Sequence, residues 1–462
     1  MKKSILLALT LLLAIAARAE VKYVFYFIGD GMGMGPAMAA QMYARQVLGR
    51  GDGITMMQFP VASMAMTYSA SSPVTDSAAA GTALASGKKT ANGTVGLAAD
   101  STVAVSIAQE LKNRGWGVGI ATSVAPDDAT PAAFYAHVPK RSQYYDIACQ
   151  AAESGYDFLA GAGLRREKDK NGKPTDLIDR FTAAGYRIQR GAQGVESDSA
   201  DKILLLNRDG VNHANNISYT IDSVADALSL PFITSSAIAH MQKVSPERFF
   251  IMIEGGNIDH ALHANDGGAA IKEVLNFNDA IALAYDFYKA HPDETLIVVT
   301  ADHDTGGMAL GNKFRHYEAD LGYIDNQRIS KDKFADFCRT LASDSTLTWQ
   351  KMKDILSDRL GLYTAVPLTE KQDVELRQLF DDTFVSHTAT DAKTLYAAYN
   401  AFTDGVWRIF NDIVGIGFTT TSHTGNPVPV FAIGPGAQTL SSVNNNTDIP
   451  GAILRAVDTD KQ

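Results

Sequence analysis

Five short, almost uninterrupted apolar runs constrain what this chain can fold into. Val21 to Ile28 ends at Gly29-Asp30-Gly31, Trp116 to Ala121 ends near Thr122-Ser123, and Phe249 to Ile253 ends at Glu254-Gly255-Gly256. Leu296 to Val299 ends at Thr300-Ala301-Asp302-His303, and Val428 to Ile433 follows His423-Thr424-Gly425. Runs of this kind, without polar alternation, suit strands buried on both faces. Helical stretches such as Val103 to Arg114 and Ala269 to Ala290 lie between them. The alternation predicts an α/β fold, a mostly parallel central sheet with helices on both faces. In such sheets ligands bind at the carboxyl ends of the strands, and three of the runs end in Asp, Glu or His.

The chain has 462 residues, 46% of them hydrophobic, enough for a large core. Its net charge of −10 leaves no broad basic patch to hold a polyanion, which argues against nucleic-acid binding. Residues 1–19 read as a secretory signal. Met1-Lys2-Lys3 is basic, Ile5 to Ala16 is apolar but short, and Ala17-Arg18-Ala19 offers small residues before a cut. This predicts a mature domain over 20–462 in the periplasm or outside the cell. No later run is long and uncharged enough to span a membrane. Cys149 and Cys338 are too few for a disulfide scaffold; pairing and two buried thiols both stay open. Between about Ala309 and Thr420 the strands give way to charged, helical-looking sequence, read as an inserted helical subdomain, 309–420.

Chemistry-bearing residues fall in five segments. Asp30 in IGDGMG follows a strand and is flanked by glycines, which suits either a ligand site or a plain turn. In Thr75-Asp76-Ser77, small residues follow and predict a helix beginning near Ser77. A serine there sits at the positive end of the helix, where backbone N–H groups point; an ordinary N-cap reads the same way. Asp127-Asp128-Ala129-Thr130 puts a hydroxyl beside carboxylates, as a hard cation prefers. Arg141, eleven residues after Thr130, offers a planar fork for phosphate-like oxygens; a capped helix start with a solvated arginine is the plainer account. Glu254-Gly255-Gly256-Asn257-Ile258-Asp259-His260-Ala261-Leu262-His263 is the densest. Asp259 and His263, four apart, share one helical face and make a natural zinc pair. The fifth joins Asp302-His303 to the distant His423.

His137, His213, His240, His291, His316 and His387 lack a carboxylate at ligand spacing and read as surface or core histidines. His387 is the one rival to His423, because Ser386-His387-Thr388 repeats Ser422-His423-Thr424. Together the chosen residues suffice for three ions. His263, His423 and Asp259 leave zinc an open position, and His303, Asp302 and Asp30 could take a second. Asp30, Thr130 and Glu254 offer oxygens alone, which suits Mg2+. Two zincs about 4 Å apart would clamp both apical oxygens of an in-line displacement.

IGDGMG, VTDSAAAGTA, DDATPAA with Arg141, EGGNIDHALH, TADHDTGG and HTG, in that order, resemble the metal-dependent alkaline phosphatases over nearly all of the chain except 309–420. The resemblance implies hydrolysis of phosphate monoesters to inorganic phosphate and an alcohol, with two Zn2+ and one Mg2+. It implies that Ser77 is the nucleophile of a phosphoserine intermediate and that Arg141 grips two phosphoryl oxygens. Asp259, His263 and His423 match the ligands of the first zinc. Asp302, His303 and Asp30 match those of the second, and Asp30, Thr130 and Glu254 those of Mg2+. Asp128 and His260 match a pair beside the phosphate. That pair is Asp with Lys in the well-studied bacterial enzyme and His with His in animal enzymes, so here it is mixed. An imidazole is charged over less of the pH range than an ammonium, which predicts weaker phosphate affinity at alkaline pH. Relatives of this kind commonly form homodimers, and a helical cap over the cleft is expected of the insert, with a dimer contact as the alternative. Related sulfatases need a C/S-x-P-x-R sequence, absent after Ser77. Related nucleotide phosphodiesterases use threonine and lack the Mg2+ carboxylate. A phosphate-binding protein without chemistry would lack a nucleophile or ligand.

Overall fold

The computed structural model describes residues 20–458 apart from 194, 196–198, 209–214, 225–226 and 343. The expected signal at 1–19, and His213, lie outside the described residues.

Nine strands form one sheet: β1 (Tyr23–Gly29), β2 (Val61–Ala65), β3 (Gly117–Thr122), β4 (Phe158–Gly161), β5 (Tyr186–Arg190), β6 (Lys202–Leu206), β7 (Phe249–Glu254), β8 (Thr295–Ala301) and β9 (Val428–Ile433). Their order is β2-β9-β8-β1-β7-β3-β4-β6-β5. Every residue of β1, β3, β7 and β8 is buried. Successive side chains on a strand point to opposite faces, so both faces of these four strands are covered. Each fully buried Phe, Ile or Val along them contributes roughly 1.5–3 kcal/mol of apolar burial. That is why the apolar runs are continuous rather than alternating. The mostly parallel sheet with covering helices is the architecture expected.

Register places the site. Ile28 pairs with Glu254 and with Thr300, and Thr122 pairs with Glu254. The carboxyl ends of β3, β7, β1 and β8 are therefore level, side by side. Asp30, Ser123, Glu254 and Asp302 all lie within a residue or two of that common edge.

The sequence does not mark two features of this sheet. β9 runs antiparallel to β8, with Val430 opposite Thr300. Residues just before β9, His423 among them, are thereby brought to the edge where β8 ends. Strands β4 to β6 and the edge strand β2 are short, and only the crossovers reveal them.

The helix expected over Val103 to Arg114 is shorter, Ile107–Asn113, because Ser106 caps it in a reciprocal box with Gln109. The second expected helix, Ala269 to Ala290, begins slightly earlier, as Gly267–Ala290, with Asp266 accepting from the Ala269 amide.

Within 309–420 lie the helices Lys331–Leu341, Trp349–Leu360, Glu370–Phe380 and Ala401–Val414, with a small hairpin, Ala392–Lys393 against Ala398–Tyr399. Phe334, Met352, Leu376, Phe402 and Trp407 are buried and join the main core. Ala309–Leu310 pairs with Ile416–Gly417, so the segment leaves and rejoins the body at one two-residue ladder. Cys149 and Cys338 are both free thiols. Among the described residues no helix is long and apolar enough to cross a membrane.

Candidate active site

Ser77 is the first residue of the helix Ser77–Ser86. Asp76 caps that helix, its Oδ1 accepting from the Ala79 amide at 3.0 Å. The cap is present, and it fixes where Ser77 points. The Asp76 Oδ2 accepts from the Gly93 amide at 3.0 Å and from Arg141 at 3.3 Å. The cap thus also tethers Arg141, whose other arm reaches Asp128 Oδ1 at 3.3 Å. Ser77 is 2% exposed, and its Oγ lies 3.1 Å from His303 Nε2.

Hydrogen bonds fix the tautomers of the three ligand-type histidines. His263 Nδ1 lies 2.6 Å from the Thr421 carbonyl, and His423 Nδ1 lies 2.8 Å from the Thr75 carbonyl. A carbonyl only accepts, so both Nδ1 atoms carry the proton. The Thr305 hydroxyl donates to Asp259 Oδ1 at 2.5 Å and stands 3.1 Å from His303 Nδ1, so it accepts there. All three Nε2 atoms are left with bare lone pairs. They point inward: His263 Nε2 is 3.0 Å from His423 Nε2 and 3.4 Å from Asp259 Oδ2. His423 Nε2 is 3.7 Å from Asp259 Oδ1. His303 Nε2 is 3.2 Å from Asp302 Oδ2 and 3.3 Å from Asp30 Oδ1.

Lone pairs and carboxylate oxygens crowded this way repel unless a cation sits among them. Asp259, His303 and His423 offer ligand atoms within 4.8 Å of one another, as do Asp30, Asp302 and His303. Asp30 Oδ1, Asp302 Oδ2, Thr130 Oγ1 and Glu254 Oε1 are buried without a hydrogen-bond partner. Orphaned buried oxygens of this kind are rare and call for a specific account. The Glu254 Oε2 is satisfied by the Thr122 hydroxyl, so only Oε1 is left free. The donor set therefore fits metal ions.

Electrostatics agree. Burial, then Asp302, Asp259 and Glu254, pushes Asp30 well above the usual carboxylate range. Burial pushes Glu254 up to about 8 and Asp302 up to about 7. Three carboxylates, Asp30, Glu254 and Asp302, that resist ionising together are a place where positive charge is stabilised.

A glycine permits the close approach. Gly31 has φ +70°, and a Cβ there would come within 2.8 Å of Asp259 Oδ1 and of Thr305 Oγ1. Its amide instead donates to Asp302 Oδ1 at 3.0 Å. His423 is pinned by a two-residue ladder with its neighbours: His423 pairs with Thr305 and Thr424 with Asp304. The rival His387 is elsewhere, exposed and bonded to the Thr383 carbonyl at 3.1 Å.

Three contributors carry no sequence signal that marks them. Thr305 orders the Asp259 and His303 side chains, as above. Arg165 follows the unread strand β4. Its guanidinium binds Asp128 Oδ2, its amide donates to Asp127 at 3.0 Å, and it stacks 4.8 Å from the Tyr144 ring. The cations bonded to Asp128 are thus Arg141 and Arg165. Burial outweighs nearby carboxylates at His260 and pushes it down to about 4. Burial thus favours the neutral imidazole at His260, which argues against a charge change there in the alkaline range. Tyr396, at the tip of the insert hairpin, donates to Asp259 Oδ2 at 3.2 Å. Beyond it a cavity of about 460 Å3 opens between the hairpin, Arg165, His260, Asn215 and Asn216.

A serine at a helix N-terminus, an arginine fork and a nest of metal-type donors at the carboxyl edge of an α/β sheet define a hydrolase of phosphate esters. The chain belongs to the alkaline phosphatase family, whose model, "Alkaline phosphatase", matches residues 21–160 and 156–459. It is 32% identical over 397 residues to alkaline phosphatase 4 of Bacillus subtilis (strain 168), covering 84% of this chain and 77% of that one. Its fold is similar to that of the cold-active alkaline phosphatase of the psychrophile Shewanella sp., with a TM-score of 0.78 and 27% identity over 95% of this chain and all of the other. The Thermus thermophilus alkaline phosphatase is similar at TM-score 0.75 and 25% identity, over 95% and 93% of the two chains.

Proposed function

We infer that the chain is an exported, metal-dependent phosphomonoesterase that works through a phosphoserine at Ser77. Residues 1–19 are read as its export signal, and the helical segment within 309–420 as a cap that reaches the cleft. The observation that carries the reading is the gathering of three histidines whose Nδ1 atoms hold the ring proton and whose Nε2 atoms face inward, together with four buried oxygens that have no hydrogen-bond partner.

In this reading Asp259, His263 and His423 hold one Zn2+ and Asp30, Asp302 and His303 a second. Asp30, Thr130 and Glu254 hold Mg2+. When bound, these ions supply positive charge that favours the serine alkoxide and the departing oxygen. Ser77 attacks phosphorus with its Oγ, aimed by its place at the start of its helix. Arg141, held in place by Asp76 and Asp128, grips two phosphoryl oxygens as their charge spreads in a loose transition state. The alcohol leaves, and water then attacks phosphoserine from the vacated side, releasing inorganic phosphate with net retention. Asp128 and His260 are read as the pair that flanks the phosphate.

The test pairs p-nitrophenyl phosphate with bis-p-nitrophenyl phosphate, each assayed before and after chelation. The reading requires a strong preference for the monoester, lost on chelation and restored by Zn2+ with Mg2+. Comparable diester cleavage, or activity indifferent to chelator, would sink it.

A further inference from the structure

The insert hairpin is built to reach the metal-type cleft, and it is tied down at its foot. Tyr399, 2% exposed, donates to Asp332 Oδ1, and Tyr219 donates to the other oxygen at 3.2 Å. The Lys331 ammonium lies 4.4 Å from the Tyr399 ring centre and donates to the Ala264 carbonyl at 2.9 Å. Ala264 directly follows His263. The Lys331 amide also donates to Asp266 at 2.7 Å, the residue that caps the next helix of the body. The hairpin foot and the helix Asn257–His263 are therefore fastened to the same few atoms. The turn above is closed by Thr394 and Ala397, whose backbone groups bond at 2.8 Å. Only Leu395 and Tyr396 project from it. Leu395 is 64% exposed and Tyr396 43%, but the Tyr396 ring and hydroxyl meet the body on one side.

The Tyr396 ring stands 4.2 Å from His260 and 5.1 Å, edge to face, from His263. Its hydroxyl reaches Asp259 Oδ2 at 3.2 Å. The Thr305 hydroxyl takes Asp259 Oδ1. The two oxygens of one carboxylate are thus each held by a hydroxyl, one from the body and one from the insert. Partners of this kind orient ligating carboxylates, and their loss typically costs about 10–100-fold in metal affinity or activity.

We propose that Tyr396 is a positioning residue supplied by the insert: its hydroxyl orients Asp259 for the metal ion, so that the insert is part of the metal site and not only its cover. The proposal rests on the reading of Asp259 as a metal ligand.

The experiment measures Zn2+ affinity of the full protein by competition with a chromophoric chelator, for the parent, Tyr396→Phe and Asp259→Asn. Phe keeps the ring and its packing on His260 and His263, so the hydroxyl alone is tested. The expected result is Zn2+ binding weakened about 10-fold in Tyr396→Phe, and by more in Asp259→Asn, with the chelated proteins melting at one temperature. If Asp259→Asn loses Zn2+ and Tyr396→Phe binds it like the parent, the proposal alone falls. If neither variant changes Zn2+ affinity, the reading of Asp259 falls and the proposal with it.

Discussion

Nε2 of His263 faces Nε2 of His423 across 3.0 Å, while both Nδ1 protons are committed to backbone carbonyls. Two lone pairs held face to face cost stability until a cation occupies the space between them. Adding Zn2+ to chelated protein should therefore raise the melting temperature. A free concentration about 1,000 times the dissociation constant corresponds to about 4 kcal/mol. In His423→Ala much of that rise should vanish. Calorimetry checks this, and a melting temperature indifferent to both chelator and Zn2+ would contradict it.

Ser77→Ala removes the attacking oxygen and leaves the donor set intact. Turnover of p-nitrophenyl phosphate should fall by a factor on the order of 10^3 or more, while bound metal measured after dialysis stays at the parent level. Near-full activity in that variant would mean another group is the nucleophile.

Arg165 shares the Asp128 carboxylate with Arg141, on a side chain that is 8% exposed. In Arg165→Ala the whole negative charge falls to Arg141, which is drawn away from phosphate. We expect the inhibition constant of inorganic phosphate to rise about 10-fold, the size of one lost charge-assisted contact. An unchanged constant would show that Arg165 has no hold on the anion site.

Glu273 is buried in the body, and its Oε1 accepts from the Thr220 amide at 2.6 Å. Burial pushes its carboxyl from an ordinary 4.5 up to about 7. The unfolded chain ionises this group first, so native stability declines as pH climbs from about 4.5 to about 7 and is then level. Glu273→Gln keeps the acceptor and cannot ionise. The variant should match the parent near pH 4.5 and exceed it above pH 7, by on the order of 3 kcal/mol. Melting temperatures across that range decide it: a difference that does not widen with pH would refute the assignment.

Asp30, Glu254 and Asp302 were legible because each terminates an apolar run, and level strand register then gathers them. Asp259 and His263 were legible through helical spacing. His423 was legible as a residue beside a strand, but its arrival depends on β9 running antiparallel to β8, and no local pattern in VPVFAI encodes direction. Arg165 was hidden because β4 has only four residues, too few for periodicity to show. Tyr396 was hidden for a different reason. It sits on a two-residue turn inside a helical-looking segment, and its position follows from the anchoring of Lys331, Asp332 and Tyr399.

The ladder of Ala309–Leu310 with Ile416–Gly417 gives the segment between them a narrow neck. Insertions or deletions beyond that neck need not disturb the spacing of His303 and His423, because both lie on the body side of it. Loop length and catalytic geometry are thereby uncoupled. The segment is a place where substrate choice can be remodelled by exchanging whole pieces of chain, provided that whatever replaces the hairpin still brings a hydroxyl to Oδ2 of Asp259.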